Sequence, residues 1–214
     1  MISRVAAALA PVFGRMTVTA DASGPVVGGT ILVANHTSLF DPVVVVAALR
    51  GLGVDPVVMA TAGLWRVPVL GGALAREGHI PVHRGTARAA RSLADAAEAL
   101  AAGRCVLMYG EGGIPARRDS GEAEPLPFRS GLARLTRSTG APVRPVGQAG
   151  ARRVSSGTAA KQIAGVLTAP ARRPRVHVHV GAPLLLPDGL PEATAVAHGA
   201  VTSAWRTAVT RLAA

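Results

Sequence analysis

The feature that most constrains this chain is a repeated alternation along it. Short apolar runs rich in β-branched residues lie at 30–34, 55–61, 104–109, 142–148 and 175–180, separated by stretches with helical character. Runs this short, bounded by Gly, Pro or Asp, have strand length rather than helix length. A chain that alternates such strands with helices is predicted to fold as α/β: one domain over residues 1–214 with a mixed, largely parallel sheet flanked by helices. No internal repeat or Gly/Ser/Pro-rich linker divides it. Aromatic residues are only 3% of the 214, so the core must be Val, Leu and Ile packed against Ala and Gly.

Further strands are expected at 16–20 and 79–83. Helices are expected at 38–50, 67–77, 86–102, 128–139 and 191–212. Pro42 suits a first helical turn, although Val43 to Val46 have strand propensity. In 86–102, Ala87, Ala90, Ala94, Ala97 and Ala101 share one face, and Arg91 lies four residues before Asp95. Residues 110–127 read as a polar loop, and 149–174 as an arginine-rich loop with a short helix near 160–167. At the N-terminus, residues 1–15 read as an amphipathic helix with Ile2, Val5, Leu9, Val12 and Phe13 on one side. That side is expected to pack on the core, with a membrane surface as the alternative. Pro11 and Arg15 spoil its likeness to a signal peptide.

Composition narrows the partners. Lys+Arg number 23 against 12 Asp+Glu, a net charge of +11, and Lys161 is the one lysine. The anionic partner this implies is nucleic acid, an anionic membrane surface or a phosphorylated substrate. Nucleic acid is not expected, because its binding motifs are absent and stacking aromatics are scarce. A single cysteine, Cys105, excludes an internal disulfide framework and a cysteine-cluster metal site. No apolar run approaches the ~20 residues of a membrane-spanning helix.

The strongest chemical signal is Asn35-His36-Thr37-Ser38-Leu39-Phe40-Asp41, placed between the 30–34 strand and a helix. A histidine at a strand's C-terminal end sits where α/β folds place their sites. Asp41, five residues on, is placed to accept the imidazole's second N–H, fixing its tautomer. No nucleophilic Ser or Cys lies nearby in an elbow-like glycine setting, so the pair suggests a general base acting on an incoming substrate. The plain alternative is a helix-capping Asp41 beside a satisfied His36.

The order Asn35-His36-x-Ser38-x-x-Asp41, then His83-Arg84, then Glu111-Gly112, then Pro142-Val143-Arg144-Pro145-Val146 resembles the lysophospholipid (1-acylglycerol-3-phosphate) acyltransferase family. The first block matches in full. In the second, His83 stands for the family's acid and Arg84 keeps its arginine. The third, Phe-Pro-Glu-Gly-Thr-Arg in the family, reads Tyr109-Gly110-Glu111-Gly112-Gly113-Ile114. Phe128, Gly131 and the 142–146 strand fit the fourth. A valine-rich strand, Gly181-x-Pro183 and a final helix extend the likeness over 28–212.

The resemblance implies a glycerolphosphate-acyltransferase-like fold. It implies that His36 deprotonates an acceptor hydroxyl, oriented by Asp41. The acceptor then attacks the thioester of acyl-CoA or acyl carrier protein, with no acyl-enzyme, metal or bound cofactor. Asn35, Ser38, Arg84, Glu111 and Gly112 would bind substrate: Arg84 a phosphate, and Glu111 an acceptor hydroxyl. Trp65 and Trp205 read as packing residues, although Trp65 also sits where members of the family line an acyl tunnel. The acceptor would be a phosphorylated lipid or small molecule, with an anionic membrane surface as a further partner. The location would be cytoplasmic or peripheral on the inner face of the cell membrane. Ile114 replaces one phosphate-binding arginine. Arg117, Arg118 or a nest of Gly110, Gly112 and Gly113 N–H groups are the expected substitutes. These departures leave two rivals: the same chemistry on a non-lipid hydroxyl or amine, and a silent lipid- or carrier-binding protein.

The remaining candidates read more plainly. His177 and His179 alternate with valines and are expected on a polar strand face rather than around a metal. Cys105 reads as a small core residue in a strand. Arg152, Arg153, Arg172, Arg173 and Arg175 read as a solvated face, with anionic lipid or CoA phosphates as the alternative.

Overall fold

A computed structural model describes residues 2–21, 24–86, 88–115 and 119–214, without the side chains of residues 2 and 3. Its strands are β1 (Arg15–Ala20), β2 (Ile31–Ala34), β3 (Val57–Thr61), β4 (Ile80–Val82), β5 (Val106–Tyr109), β6 (Val143–Ala149) and β7 (Arg175–Val180). They form one seven-stranded sheet in the order β1-β7-β6-β2-β5-β3-β4. Every pairing is parallel except β6 with β7. The expected α/β architecture is therefore present, and its largely parallel sheet needs cover on both faces.

That cover comes from helices. Successive side chains of a strand point to opposite faces, so Leu32 and Ala34 enter one core while Ile31 and Val33 enter the other. Over the first face lie α1 (Ile2–Phe13), α2 (Asp41–Gly51), α6 (Ala151–Val154) and α7 (Ala159–Arg172). Over the second lie α4 (Ala89–Ala101), α5 (Gly131–Thr139) and α8 (Leu190–Ala213). The helix expected over 67–77 is present as the shorter α3 (Leu70–Arg76), preceded by a 3-10 turn (Ala62–Arg66).

Burial explains where local propensity was overridden. Val44, Val45 and Val46 all lie buried in α2, whose inner side meets the sheet while α1 covers its outer side. A helix apolar all round belongs in such a layer. The N-terminal helix is present, but its expected orientation is reversed. Ala6 and Ala10 face inward, while Val5, Leu9 and Val12 are 48%, 39% and 50% exposed. Small alanines let α1 lie close on α2, so the larger residues turn outward; among the described side chains of that stripe only Phe13 packs against the core. In α4 the inward residues are Ser92, Ala96 and Leu100, and Ala90, Ala94 and Ala101 are exposed. Ala87 lies outside the described residues. The 149–174 stretch is more helical than expected, as α6 and α7, the latter started by Thr158, whose hydroxyl accepts the Lys161 N–H.

Because β2, β3, β4 and β5 run parallel, the segments after all four leave the same edge of the sheet. Asn35-His36, Arg84 and Glu111-Gly112 therefore converge, although up to 77 positions separate Asn35 from Gly112 in the sequence.

Candidate active site

The site begins where β2 ends. Asn35, fully buried, clamps β6: its amide N–H donates to the Gln148 carbonyl (3.1 Å) and its carbonyl accepts the Gln148 N–H (2.8 Å). The chain then turns, and the His36 N–H donates to Glu111 Oε2 at 2.6 Å. His36 Nδ1 lies 3.0 Å from Asp41 Oδ2. Asp41 is the first residue of α2 and fully buried, and the same oxygen accepts the Thr37 and Ser38 N–H groups. Facing a carboxylate, Nδ1 carries the proton, so Nε2 presents its lone pair. The imidazole also stacks on Tyr109, centroids 4.3 Å apart and planes 26° apart. Bonded on one edge and stacked on one face, the ring is held in a single orientation.

Asn35 and Ser38 do not stand as substrate ligands. Asn35 uses both amide atoms on β6, and Ser38 donates its hydroxyl to the Ser155 carbonyl at 2.6 Å while accepting the Phe40 N–H. Both are buried, and they hold the turn that carries His36. Glu111 also lies inward. Burial, its largest influence, raises its carboxyl to about 8, against the His36 N–H that favours ionisation. Its Oε1 is buried without a partner. Desolvation, then the nearby Asp41 and Glu111, push the Tyr109 phenol well above its ordinary range.

Two cations stand beside this turn. Gly112 adopts φ +69°, and a Cβ there would lie 2.7 Å from Arg129 Cδ; one at Gly113 would lie 3.9 Å from Arg84 Nη1. Arg84 and Arg129 thus flank the 112–113 turn at the mouth of a cavity of about 510 Å³. Burial and then Arg129 hold the Arg84 guanidinium below its ordinary range. Among the described residues neither arginine has a carboxylate partner, so their repulsion favours a bound anion. Deeper in, Met59, Val82, Leu93, Met108 and Leu132 make the cavity apolar. Trp65 is not part of this wall.

The expected glycine nest does not form as drawn. The Gly110 and Gly112 N–H groups donate to the Ala34 and Tyr109 carbonyls, leaving neither for an anion. A Cβ at Gly110 would lie 2.3 Å from the Phe128 ring, which fills the space a proline would need there. Arg117 and Arg118 lie outside the described residues. Arg129 stands beside the turn where a cation was expected from them. Sequence reasoning passed over it because only the strand order brings the start of α5 against the turn after β5.

Arg152 was missed for another reason. Expected on a solvated face, it is 3% exposed, and its guanidinium donates to the Thr37 carbonyl (2.9 Å) and the Asp119 carbonyl. Gln148 Nε2 donates to Thr37 Oγ1 (2.9 Å) from the same side. His177 and His179 are buried rather than solvated, bonded to Thr17 and Thr19 across the parallel β1–β7 pair. Among the described residues no group of three His, Cys, Asp or Glu is placed to hold a metal. None of their helices is long and apolar enough to cross a membrane.

A strand-end base with an aspartate behind it, beside an arginine-flanked cavity on this sheet, fits a group-transfer enzyme. Residues 15–148 match the acyltransferase family, and the chain belongs to it. It is an acyltransferase. The fold is shared with the crystal structure of the 1-acyl-sn-glycerophosphate (LPA) acyltransferase PlsC from Thermotoga maritima. The TM-score is 0.74 at 19% identity, over 100% of this chain and 79% of that one. A search of curated proteins gave no match.

Proposed function

We propose that the enzyme moves an acyl group from a thioester donor, acyl-CoA or acyl carrier protein, to the hydroxyl of a lysophosphatidate-like acceptor. The observation that carries this reading is that the His36–Asp41 pair is stacked, through His36, on Tyr109 of the cavity wall, while two arginines without a carboxylate partner among the described residues line the same cavity. The T. maritima protein, by its name, acts on 1-acyl-sn-glycerophosphate, an acceptor of that chemistry.

In this mechanism the acceptor hydroxyl lies at His36 Nε2 while Arg84 and Arg129 grip its phosphate. Nε2 takes the proton as oxygen attacks the thioester carbon. Asp41 stabilises the imidazolium through Nδ1. The tetrahedral intermediate collapses, the C–S bond breaks, and the imidazolium returns the proton to the departing thiolate. Glu111, protonated near neutral pH, accepts the His36 N–H and braces that backbone from within. Ile114, 37% exposed where a second phosphate ligand was expected, favours as a second reading an uncharged or amine acceptor.

The outward Val5, Leu9 and Val12 of α1 support peripheral attachment to the inner face of the cell membrane, with Leu39 of the His36 turn also exposed. The deciding experiment is steady-state kinetics on wild type, Arg84→Ala and Arg129→Ala with acyl-CoA and lysophosphatidate each varied. A raised acceptor KM supports the phosphate reading. A change confined to the donor KM overturns it in favour of the second reading.

A further inference from the structure

A second cavity, of about 650 Å³, opens between α6, α7 and the chain at 119–120. Arg152, Arg153, Lys161 and Arg172 all line it. Among the described residues none of these four is ion-paired. Arg172 is fixed by neutral oxygens, donating to Arg153 O (3.0 Å), Gly165 O (2.8 Å) and Thr168 Oγ1 (3.0 Å). Asp119, the acid on the wall, turns its Oδ1 to the Gly121 N–H. Arg152 is buried, bridges to the Thr37 carbonyl beside His36, and keeps its Nε without an acceptor. A smaller cavity of about 120 Å³ adjoins: Arg152 and Ser156 line both, and Thr37, Ser38 and Ile114 line the smaller. The basic cleft thus shares part of its wall with a small cavity that reaches Thr37 and Ser38 of the His36 turn.

We propose that the α6–α7 cleft binds the phosphate groups of a CoA donor, its pantetheine arm running past Ser156 and the smaller cavity toward His36. This deepens the acyl-transfer reading and rests on it. Concavity favours a phosphorylated ligand over a flat lipid surface. Lys161, Gly165 and Arg172 share one stripe of α7, whereas the exposed Ile163 and Leu167 lie on its other flank. The charge therefore faces the cleft, apart from the apolar stripe. The donor site is also separate from the Arg84–Arg129 cavity, so donor and acceptor approach His36 from different sides, as direct transfer requires.

Arg153 and Lys161 are exposed, and no hydrogen bond from either side chain supports the fold, so Arg153→Gln/Lys161→Gln tests the site without dismantling it. Calorimetry with CoA, 3′-dephospho-CoA and inorganic phosphate is the direct measurement, with phosphatidylglycerol vesicles run in parallel. The double variant is expected to bind CoA roughly tenfold or more weakly. It should raise the acyl-CoA KM alike, while the lysophosphatidate KM stays put. Loss of the 3′-phosphate should matter less to the variant than to wild type. Unchanged CoA binding overturns the proposal, as does inorganic phosphate binding as tightly as CoA. So does a loss confined to vesicle binding, or transfer from acyl carrier protein by a chain that binds no CoA. If CoA binding depends on the cleft but no acceptor is acylated, the cleft assignment stands and the acyl-transfer reading falls.

Discussion

The turns after β2 and β5 leave adjacent strands at the same sheet edge, yet they are built oppositely. In the first, residues 35–41, the carboxylate, amide and hydroxyl side chains are hydrogen-bonded, and Asn35, Ser38 and Asp41 are buried. In the second, residues 110–114, glycines replace side chains, Glu111 Oε1 has no partner, and two unpaired arginines face the cavity. The first is held in one arrangement, as the proposed proton transfer, which tolerates little misplacement, would need. The second leaves polar capacity for a ligand to satisfy. On the proposed mechanism, proton transfer would be built into the protein, and acceptor recognition would be completed by what binds.

The largest effect that tests this contrast lies in the first turn. His36→Ala is expected to lower kcat by about 10²–10⁴-fold or more, as loss of a general base does. Asp41→Asn should lower turnover severely too, since an amide can hold the wrong tautomer. Near-normal turnover in a His36→Ala protein with a wild-type circular dichroism spectrum would falsify the mechanism. In the second turn the expected loss is smaller and of a different kind. Arg84→Ala or Arg129→Ala should raise the acceptor KM by roughly 10- to 150-fold with kcat little changed. Arg84→Lys should recover only part, because a point charge replaces a fork. Ile114→Arg should improve lysophosphatidate use; no improvement would weaken the contrast, because recognition would then not be adjustable at this turn.

The two turns also differed in how legible they were. The placement of His36 and Asp41 was readable because the contact closes within one short turn, where spacing fixes geometry. Arg129, Gln148 and Arg152 were not readable, because they arrive through the β6-β2-β5 order, which no local pattern encodes. The fold class followed from alternation, which survives errors of a few residues at element ends. The facing of α1 did not: its larger apolar residues marked a stripe, but close approach to α2 selected Ala6 and Ala10 for the inside. The short helix expected near 160–167 runs longer, as α7: Pro170 lies near its end and Gly165 fits against the Val154 carbonyl.

Glu111 joins the two turns, and its effect is expected mainly in stability. Its carboxyl stands at about 8 against 4.5 ordinarily, so between those values the native chain holds a proton that the unfolded chain has released. Stability therefore falls as pH rises from about 4.5 to about 8. Glu111→Gln keeps an acceptor for the His36 N–H and should flatten that fall, a relative gain of about 1–3 kcal/mol at pH 8. Urea melts at pH 5 and pH 8 measure it. Equal slopes in both proteins would show that Glu111 is ionised in the native state, as a purely electrostatic acceptor-binding role would have it.

The smallest effect is expected at Cys105, which lies just before β5 and far down that strand from its catalytic end. The thiol is 8% exposed and 3.5 Å from the Val27 carbonyl, and burial raises its pKa. A thiol kept protonated at the far end of the strand is a poor nucleophile. Cys105→Ser should keep kcat/KM within about twofold, since it shares no partner with the His36 turn. Its hydroxyl can donate to the same carbonyl, so the stability cost should be about 1 kcal/mol. Intact mass after incubation with acyl-CoA alone supplies the sharper test. Direct transfer leaves the mass unchanged in both proteins, because the acyl group moves only when the acceptor oxygen is present. A stoichiometric gain of one acyl group, lost with Cys105→Ser, would mean a covalent intermediate at the opposite end of β5 from His36. The comparison of the two turns would then describe the wrong site.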